Sequence, residues 1–199
     1  EMCIRDRKYL VGSEFQKIII ISFNTISIIS GTGFISENFE RWGNYASTLF
    51  LILMFIGGCA GSTTGGIKIF RFQILFKYIA IHLKKMLQPH AVIASHFNGR
   101  KIQDSTYESV MIFFFIYILT FAFSALLLSF SGLDFLTCFS ASASAISNVG
   151  PGLGEIIGPE GNYSSLTSYT KIILIFTMFL GRLEMLTILV LFLPSFWKN

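Results

Sequence analysis

Two short stretches decide how this chain folds: Ser30-Gly31-Thr32-Gly33-Phe34 and Ser147-Asn148-Val149-Gly150-Pro151-Gly152. Both read Ser-x-(Thr/Val)-Gly, and both follow an apolar run too short to cross a bilayer. The first run, 15–29, makes roughly 22 Å of helix at ~1.5 Å per residue, against a hydrocarbon core of ~30 Å. The second, 133–146, is no longer and carries the small-residue series Ser140 to Ala145. A short helix, a glycine-bearing turn and then a long helix is therefore written twice, which is an internal repeat.

Working outward, the segment 45–82 is a long span broken in its middle by Gly57-Gly58-Cys59-Ala60-Gly61-Ser62-Thr63-Thr64-Gly65-Gly66. Five glycines in ten positions make a continuous helix costly, at about 1 kcal/mol each relative to Ala. In lipid, such a break persists only when buried in protein or facing water. Residues 83–104 are polar, with Pro89 and the Asn98-Gly99 pair, and read as a cytoplasmic hairpin or loop. A membrane-crossing helix is expected over 109–130, and a last one over 169–197 that ends in an interfacial Trp197. The fold class expected is an all-α membrane protein of helix–pore loop–helix repeats, with re-entrant half-helices and extended filter segments. It divides into a partial repeat (pore helix 15–29, turn 30–34, interrupted helix 45–82) with the cytoplasmic segment 83–104, and a complete repeat over 105–199 with its turn at 147–152. The first copy lacks a leading helix, so the chain reads as a C-terminal fragment. The polar opening Glu1 to Arg7 stays outside the fold argument.

Composition agrees with a lipid solvent. Of 199 residues, 53% are hydrophobic, 16% aromatic and 13% charged, with 22 Phe and a mean hydropathy of +0.66. A water-soluble domain carries about 25% charged residues. The net charge of +4 does not mark a nucleic-acid protein, because Lys68, Arg71, Lys77, Lys84, Lys85, Arg100 and Lys101 cluster beside an apolar stretch, as on the cytoplasmic side of membrane spans. Cys3, Cys59 and Cys138 have neither disulfide pairing logic nor metal-ligand spacing. His82, His90 and His96 form no metal constellation. No catalytic triad, acid–base pair or cofactor pocket is legible, so no enzyme activity and no cofactor are expected.

The turns carry the chemistry. A K⁺ ion crossing a narrow filter sheds water, and backbone carbonyls must replace it. Glycine permits the non-helical backbone this requires, because it tolerates φ > 0. The preceding short helix directs its partially negative C-terminal end to the same place. The alternative, ordinary loop glycines, is disfavoured by the occurrence of two such turns.

These residues resemble the Trk/Ktr/HKT superfamily of K⁺ transporters, in its TrkH-type bacterial branch. The resemblance rests on Gly57-Gly58-Cys59-Ala60-Gly61-Ser62-Thr63 with Gly65-Gly66-Ile67-Lys68, on Asn148-Val149-Gly150-Pro151-Gly152-Leu153-Gly154, and on Gly181-Arg182-Leu183-Glu184, and it covers about 190 residues. It implies K⁺ uptake through a filter formed by Ser30, Gly31, Thr32, Gly33, Phe34, Ser147, Asn148, Val149, Gly150 and Pro151, with K⁺ held at Thr32, Gly33, Val149 and Gly150. Gly57, Gly58, Gly61, Ser62, Thr63, Thr64, Gly65 and Gly66 would form an intramembrane gate loop. The Gly57/Gly61/Gly65 spacing also fits passive small-residue helix packing. Arg182 and Glu184, two apart in an apolar span, cannot pair with each other and would be pore charges or anchors for the loop. The family further implies a multi-pass protein of the bacterial inner membrane, a homodimer, and a cytoplasmic nucleotide-binding regulatory subunit (TrkA-like), with transport either electrodiffusive or by symport. The family's pattern is departed from at Ser30-Gly31, where Thr is commoner, and at Thr64, where Gly is. Two rival readings are a secondary transporter with broken helices and a transport-incompetent membrane fragment.

Overall fold

The computed structural model describes residues 13–88, 96–97, 100–101, 104–183 and 196–197. Helix α1 (Glu14–Ser30) starts on a capping box: the Ser13 hydroxyl accepts from the Gln16 N–H, and the Gln16 side chain accepts from the Ser13 N–H, satisfying two otherwise orphaned donors. It stops at Gly31, whose left-handed backbone (φ 69°) turns its N–H back to the Ile28 carbonyl. A 3-10 turn (Phe39–Trp42) leads into α2 (Asn44–Phe55), and α3 (Ile69–Leu87) resumes after the glycine-rich break.

The second half has the same plan with its leading helix present. Helix α4 (Asp104–Ser129) contains the one helix among the described residues that is long and apolar enough to cross a bilayer. Helix α5 (Phe135–Ser147) is capped by Asp134, whose carboxylate accepts from the Thr137 N–H at 3.0 Å. Helix α6 (Ser168–Arg182) is capped by Thr167. Among the described residues the fold is helical apart from a two-residue antiparallel pairing of β1 (His96–Phe97) with β2 (Arg100–Lys101).

Several boundaries differ from expectation. The interrupted span is two separate helices with 13 non-helical positions between them (56–68). Helix α3 continues to Leu87, into the stretch predicted as loop; Lys84 and Lys85 lie in its last turn, where cations offset the partial negative charge of a helix C-terminus. Helix α4 starts at Asp104 rather than 109. Of the predicted final helix 169–197, α6 covers the part up to Arg182, and residues 184–195, with Glu184, lie outside the described residues.

Helix α5 is the centre of packing. Thr137, Cys138 and every residue from Ser140 to Ser147 are buried, and their small side chains let α4 and α6 pack closely on either side. Buried hydroxyls need partners, and the serines have them: Ser142 donates to the Phe121 carbonyl and shares a hydrogen bond with Ser124, while Ser140 bonds both the N–H and the carbonyl of Leu153. The Thr137 hydroxyl is buried without a partner among the described residues. On the other side, Phe39 stacks on Phe50 at 4.3 Å between ring centroids, in a cluster with Trp42, Met54, Val149 and Leu153 that joins the two halves.

The segments after the two turns are also tied. A Glu40 carboxylate oxygen accepts from the Gly154 N–H at 2.5 Å, and Arg41 pairs with Glu160 at 3.0 Å. The Arg41 pair is exposed and worth little. The Glu40 bond is charge-assisted and partly buried, so Glu40→Gln is expected to lower the melting temperature by several degrees in detergent, whereas Arg41→Gln leaves it within about 1 °C. Equal melting of the two variants would contradict this ranking.

Candidate functional site

The two Ser-x-(Thr/Val)-Gly turns have the same local geometry. In the first, the Gly31 N–H bonds the Ile28 carbonyl and the Thr32 N–H bonds the Ser27 carbonyl; in the second, Asn148 bonds Ala145 and Val149 bonds Ser144, all at 3.0–3.2 Å. Gly31 (φ 69°) and Asn148 (φ 54°) both close their helices in the left-handed conformation, and Gly33 (φ 72°) and Gly150 (φ 112°) are left-handed two residues on. Asn148 is the one non-glycine residue with positive φ among the described residues. Its short side chain tolerates that conformation better than most and donates to the Met178 carbonyl of α6 at 3.2 Å.

The turns lie against each other, and glycine is what permits it. Four successive carbonyls at the end of α5 each face a glycine from elsewhere in the chain. A Cβ built on Gly181 would strike the Ile146 oxygen, one on Gly65 the Ser147 oxygen, and one on Gly33 the Val149 oxygen; on Gly31 it would sit 3.6 Å from the Asn148 oxygen. Gly33 is also tight against the Pro151 ring. Of the other predicted turn residues, Ser30 and Thr32 share a hydrogen bond and both reach back to the Ser27 carbonyl, and Phe34 is exposed. A cavity of about 610 Å³ runs alongside, lined by Gly31, Thr32, Asn148, Val149, Gly150 and Tyr163 among others.

The glycine-rich break is a pinched loop. Ile56 and Ile67 pair in parallel, with the Gly57 N–H on the Ile67 carbonyl and the Ile67 N–H on the Phe55 carbonyl, each at 2.9 Å. Gly57 lies on the Gly65 backbone, so a side chain there would part the neck. Within the ring, Thr64 accepts from the Gly58 N–H at 2.9 Å and shares a hydrogen bond with Ser62, which accepts from the Thr64 N–H. A Cβ added at Gly61, at the tip, would meet nothing within 4 Å. These residues do not form a helix, so the Gly57/Gly61/Gly65 spacing is not a helix-packing stripe. Gly65 holds the loop directly beneath the Ser147 carbonyl.

A smaller cavity, about 200 Å³, lies at this loop and is lined by Ser62, Thr63, Thr64, Lys68, Arg71 and Arg182 among others. The Arg71 guanidinium stands 3.8 Å from the Phe113 ring centroid, a cation–π contact between α3 and α4. Arg182, in the last turn of α6, is exposed on this cavity.

A family model described as "TrkH: Cation transport protein" matches residues 9–199. The chain belongs to the TrkH cation transport protein family. It is 43% identical over 185 residues to the Trk system potassium uptake protein TrkI of Halomonas elongata, covering 93% of this chain and 38% of that protein. It is 38% identical over 177 residues to the Trk system potassium uptake protein TrkH of Escherichia coli K12, covering 89% of this chain and 36% of that one. The crystal structure of the potassium transporter TrkH from Vibrio parahaemolyticus superposes with a TM-score of 0.87 at 35% identity, over 98% of this chain and 42% of that one. The chain thus spans about two fifths of the length of the relatives it matches, and it is an all-α membrane protein of a family of transporters rather than enzymes.

The motifs pointed to the turns and the loop but not to the side chains that brace them. Tyr117 of α4 shares a buried 2.8 Å hydrogen bond with Ser147, Ser144 accepts from the Gly150 N–H at 3.0 Å, and the Tyr163 hydroxyl donates to the Gly150 carbonyl at 2.8 Å. Ser144 sits one turn before Ser147 on the same helix, a spacing visible in the sequence. Nothing local marks the tyrosines.

Proposed function

We infer that this chain supplies two of the pore loops of a K⁺ uptake protein, in which the turns 30–34 and 147–151 line a carbonyl filter for K⁺. The observation that carries the reading is the abutment of two equivalent non-helical turns, Gly33 against the Val149 carbonyl, each behind a helix too short to span a bilayer. Backbone carbonyls on left-handed turns are the donor type a dehydrating K⁺ ion needs. The two helix C-termini ending there add partial negative charge. The names of the relatives, potassium uptake proteins of the Trk system, supply the ion. Exposed apolar faces on α1 (Phe15, Phe23), α4 (Phe115, Phe123) and α6 (Ile175, Phe176) suit lipid and further repeats of a multi-pass inner-membrane protein. The family resemblance adds a homodimer and a nucleotide-binding regulatory subunit on the basic cytoplasmic side.

The test is rescue of a K⁺-uptake-deficient bacterium on limiting K⁺ by the gene carrying this chain, beside Gly150→Ala. Loss of rescue at unchanged membrane abundance is expected; equal growth would end the filter assignment.

In this reading the pinched loop, held under the Ser147 carbonyl, is the gate, and Thr64 sets its stiffness. Thr64→Gly removes the acceptor for the Gly58 N–H and frees two backbone angles. Basal K⁺ leak without the regulatory subunit is expected to rise by roughly three- to tenfold, the range set by a net hydrogen bond of about 1 kcal/mol plus added backbone freedom. An unchanged leak would make the loop a passive plug.

A further inference from the structure

We propose that Tyr163 is a positioning residue of the filter: its phenol clamps the Gly150 carbonyl and thereby sets the preference for K⁺ over smaller cations. The proposal rests on the filter reading above and deepens it.

Gly150 is the point of greatest backbone freedom in the second turn, a left-handed glycine (φ 112°) exposed to the cavity. No neighbouring strand holds its peptide groups. Two side chains do so instead. Ser144 accepts from the Gly150 N–H at 3.0 Å, and the Tyr163 hydroxyl donates to the Gly150 oxygen at 2.8 Å. The first turn is built differently. There the Gly33 N–H goes to the Ser27 carbonyl at 3.4 Å, and among the described residues no side-chain hydroxyl bonds the Gly33 oxygen. The clamp therefore belongs to one turn and makes the two halves of the site unequal.

Tyr163 is itself firmly held. It opens a 3-10 turn (Tyr163–Ser165) whose cap, Asn162, accepts from the Ser164 N–H at 2.9 Å. Lys171 of α6 donates to the Ser164 carbonyl at 2.8 Å. The ring packs against the cluster that contains Ile157, Leu166 and Leu174, and it lines the same cavity as Gly150, Val149 and Thr32. A phenol anchored from outside the turn can thus fix the direction of a carbonyl that the glycine backbone leaves free.

The physical consequence follows from how carbonyl filters discriminate. Preference for K⁺ depends on the number, field strength and mobility of the coordinating carbonyls. A carbonyl already accepting a hydrogen bond from a fixed hydroxyl keeps its distance from the ion path, and the oxygen cannot collapse inward onto a smaller cation. Without the phenol, the Gly150 carbonyl can rotate and close on Na⁺.

The experiment compares Tyr163→Phe with the parent in cells expressing the gene that carries this chain, reading K⁺ uptake KM and maximal rate, Na⁺ inhibition of K⁺ uptake, and Na⁺ uptake itself. Phe keeps the ring and its packing. The expected result is a roughly fivefold loss of K⁺/Na⁺ preference, the change that removal of one neutral hydrogen bond gives, expressed in KM more than in maximal rate and at unchanged membrane abundance. Ser144→Ala, which frees the N–H of the same residue, is expected to shift the preference in the same direction, and its ratio decides the matter should Tyr163→Phe fail to accumulate. If both variants keep the parental KM and ion preference while Gly150→Ala abolishes uptake, the clamp is overturned and the filter reading stands. If Gly150→Ala also transports normally, the filter reading falls and takes the clamp with it.

Discussion

Gly33→Ala is expected to abolish measurable K⁺ uptake, while Gly43→Ala, also at positive φ, leaves uptake close to normal. Both glycines have positive φ, 72° and 106°, which L side chains rarely adopt; with ψ 169° Gly43 lies in a region nearly reserved for glycine and costing about 1–3 kcal/mol for another residue. They differ in what a Cβ would meet. At Gly43 there is nothing within 4 Å; at Gly33 the Cβ would overlap the Val149 oxygen and crowd the Pro151 ring at 3.2 Å. The Val149 carbonyl is backbone and cannot swing aside as a side chain would. The first turn must move off the second, and the pair of carbonyl-bearing segments separates. A displacement costing about 1.4 kcal/mol already gives a tenfold effect, and here strain and overlap add. Potassium uptake and thermal melting in detergent, measured side by side, separate the two contributions: Gly43→Ala lowers the melting temperature alone, Gly33→Ala lowers both. Equal uptake by the two variants would mean that the abutting turns have no part in transport.

The second large effect is expected at Gly181, in the opposite sense to what helix propensity dictates. A helical Gly→Ala change ordinarily stabilises, by up to about 1 kcal/mol in a helix interior and less in a last turn such as that of Gly181. Gly181, however, lies where α6 meets α5, and a Cβ there would strike the Ile146 carbonyl oxygen and lie 3.0 Å from the Asn148 amide nitrogen. Overfilling a close-packed contact costs about 1–3 kcal/mol, and backbone on both sides of this one leaves little room to relax. The net expectation is a fall in melting temperature by several degrees together with loss of the Asn148–Met178 tether, which holds the left-handed cap of the second turn. Uptake should fall with it, at least tenfold. A variant that melts higher than the parent would show that α6 can shift outward at little cost.

How much of this was legible from residue order depends on range. The turns were readable because their signals are local: a helix of inadequate length, a Ser-x-(Thr/Val)-Gly tetrad, and a second copy elsewhere in the chain. The break in the 45–82 span was readable for the same reason. The contacts that assemble the site were not. Glycine at 31, 33, 65 and 181 announces backbone freedom or close approach, but nothing in the tetrads says that all four converge on one run of carbonyls from Ile146 to Val149. Tyr117, Tyr163 and Glu40 act across 30, 13 and 114 positions, and their neighbours in sequence are unremarkable aromatics, loop residues and charges. The full length of α3 is not legible, because Lys84 and Lys85 read as loop charge, whereas in a helix's last turn the same cations are stabilising. The predicted role of Glu184 falls outside the described residues.

The neck formed by Ile56 and Ile67 has a mechanical consequence. Three backbone hydrogen bonds, from Gly57 to Ile67, from Ile67 to Phe55 and from Ile69 to Gly58, fasten the end of α2 to the entry of α3, so the intervening residues hang from these helices like a bail from its hinge. The hinge pins can stay fastened while the bail swings. If the loop is the gate proposed above, switching it requires neither helix to unwind, and residues added near Gly61, at the free edge, would lengthen the bail without shifting its mount.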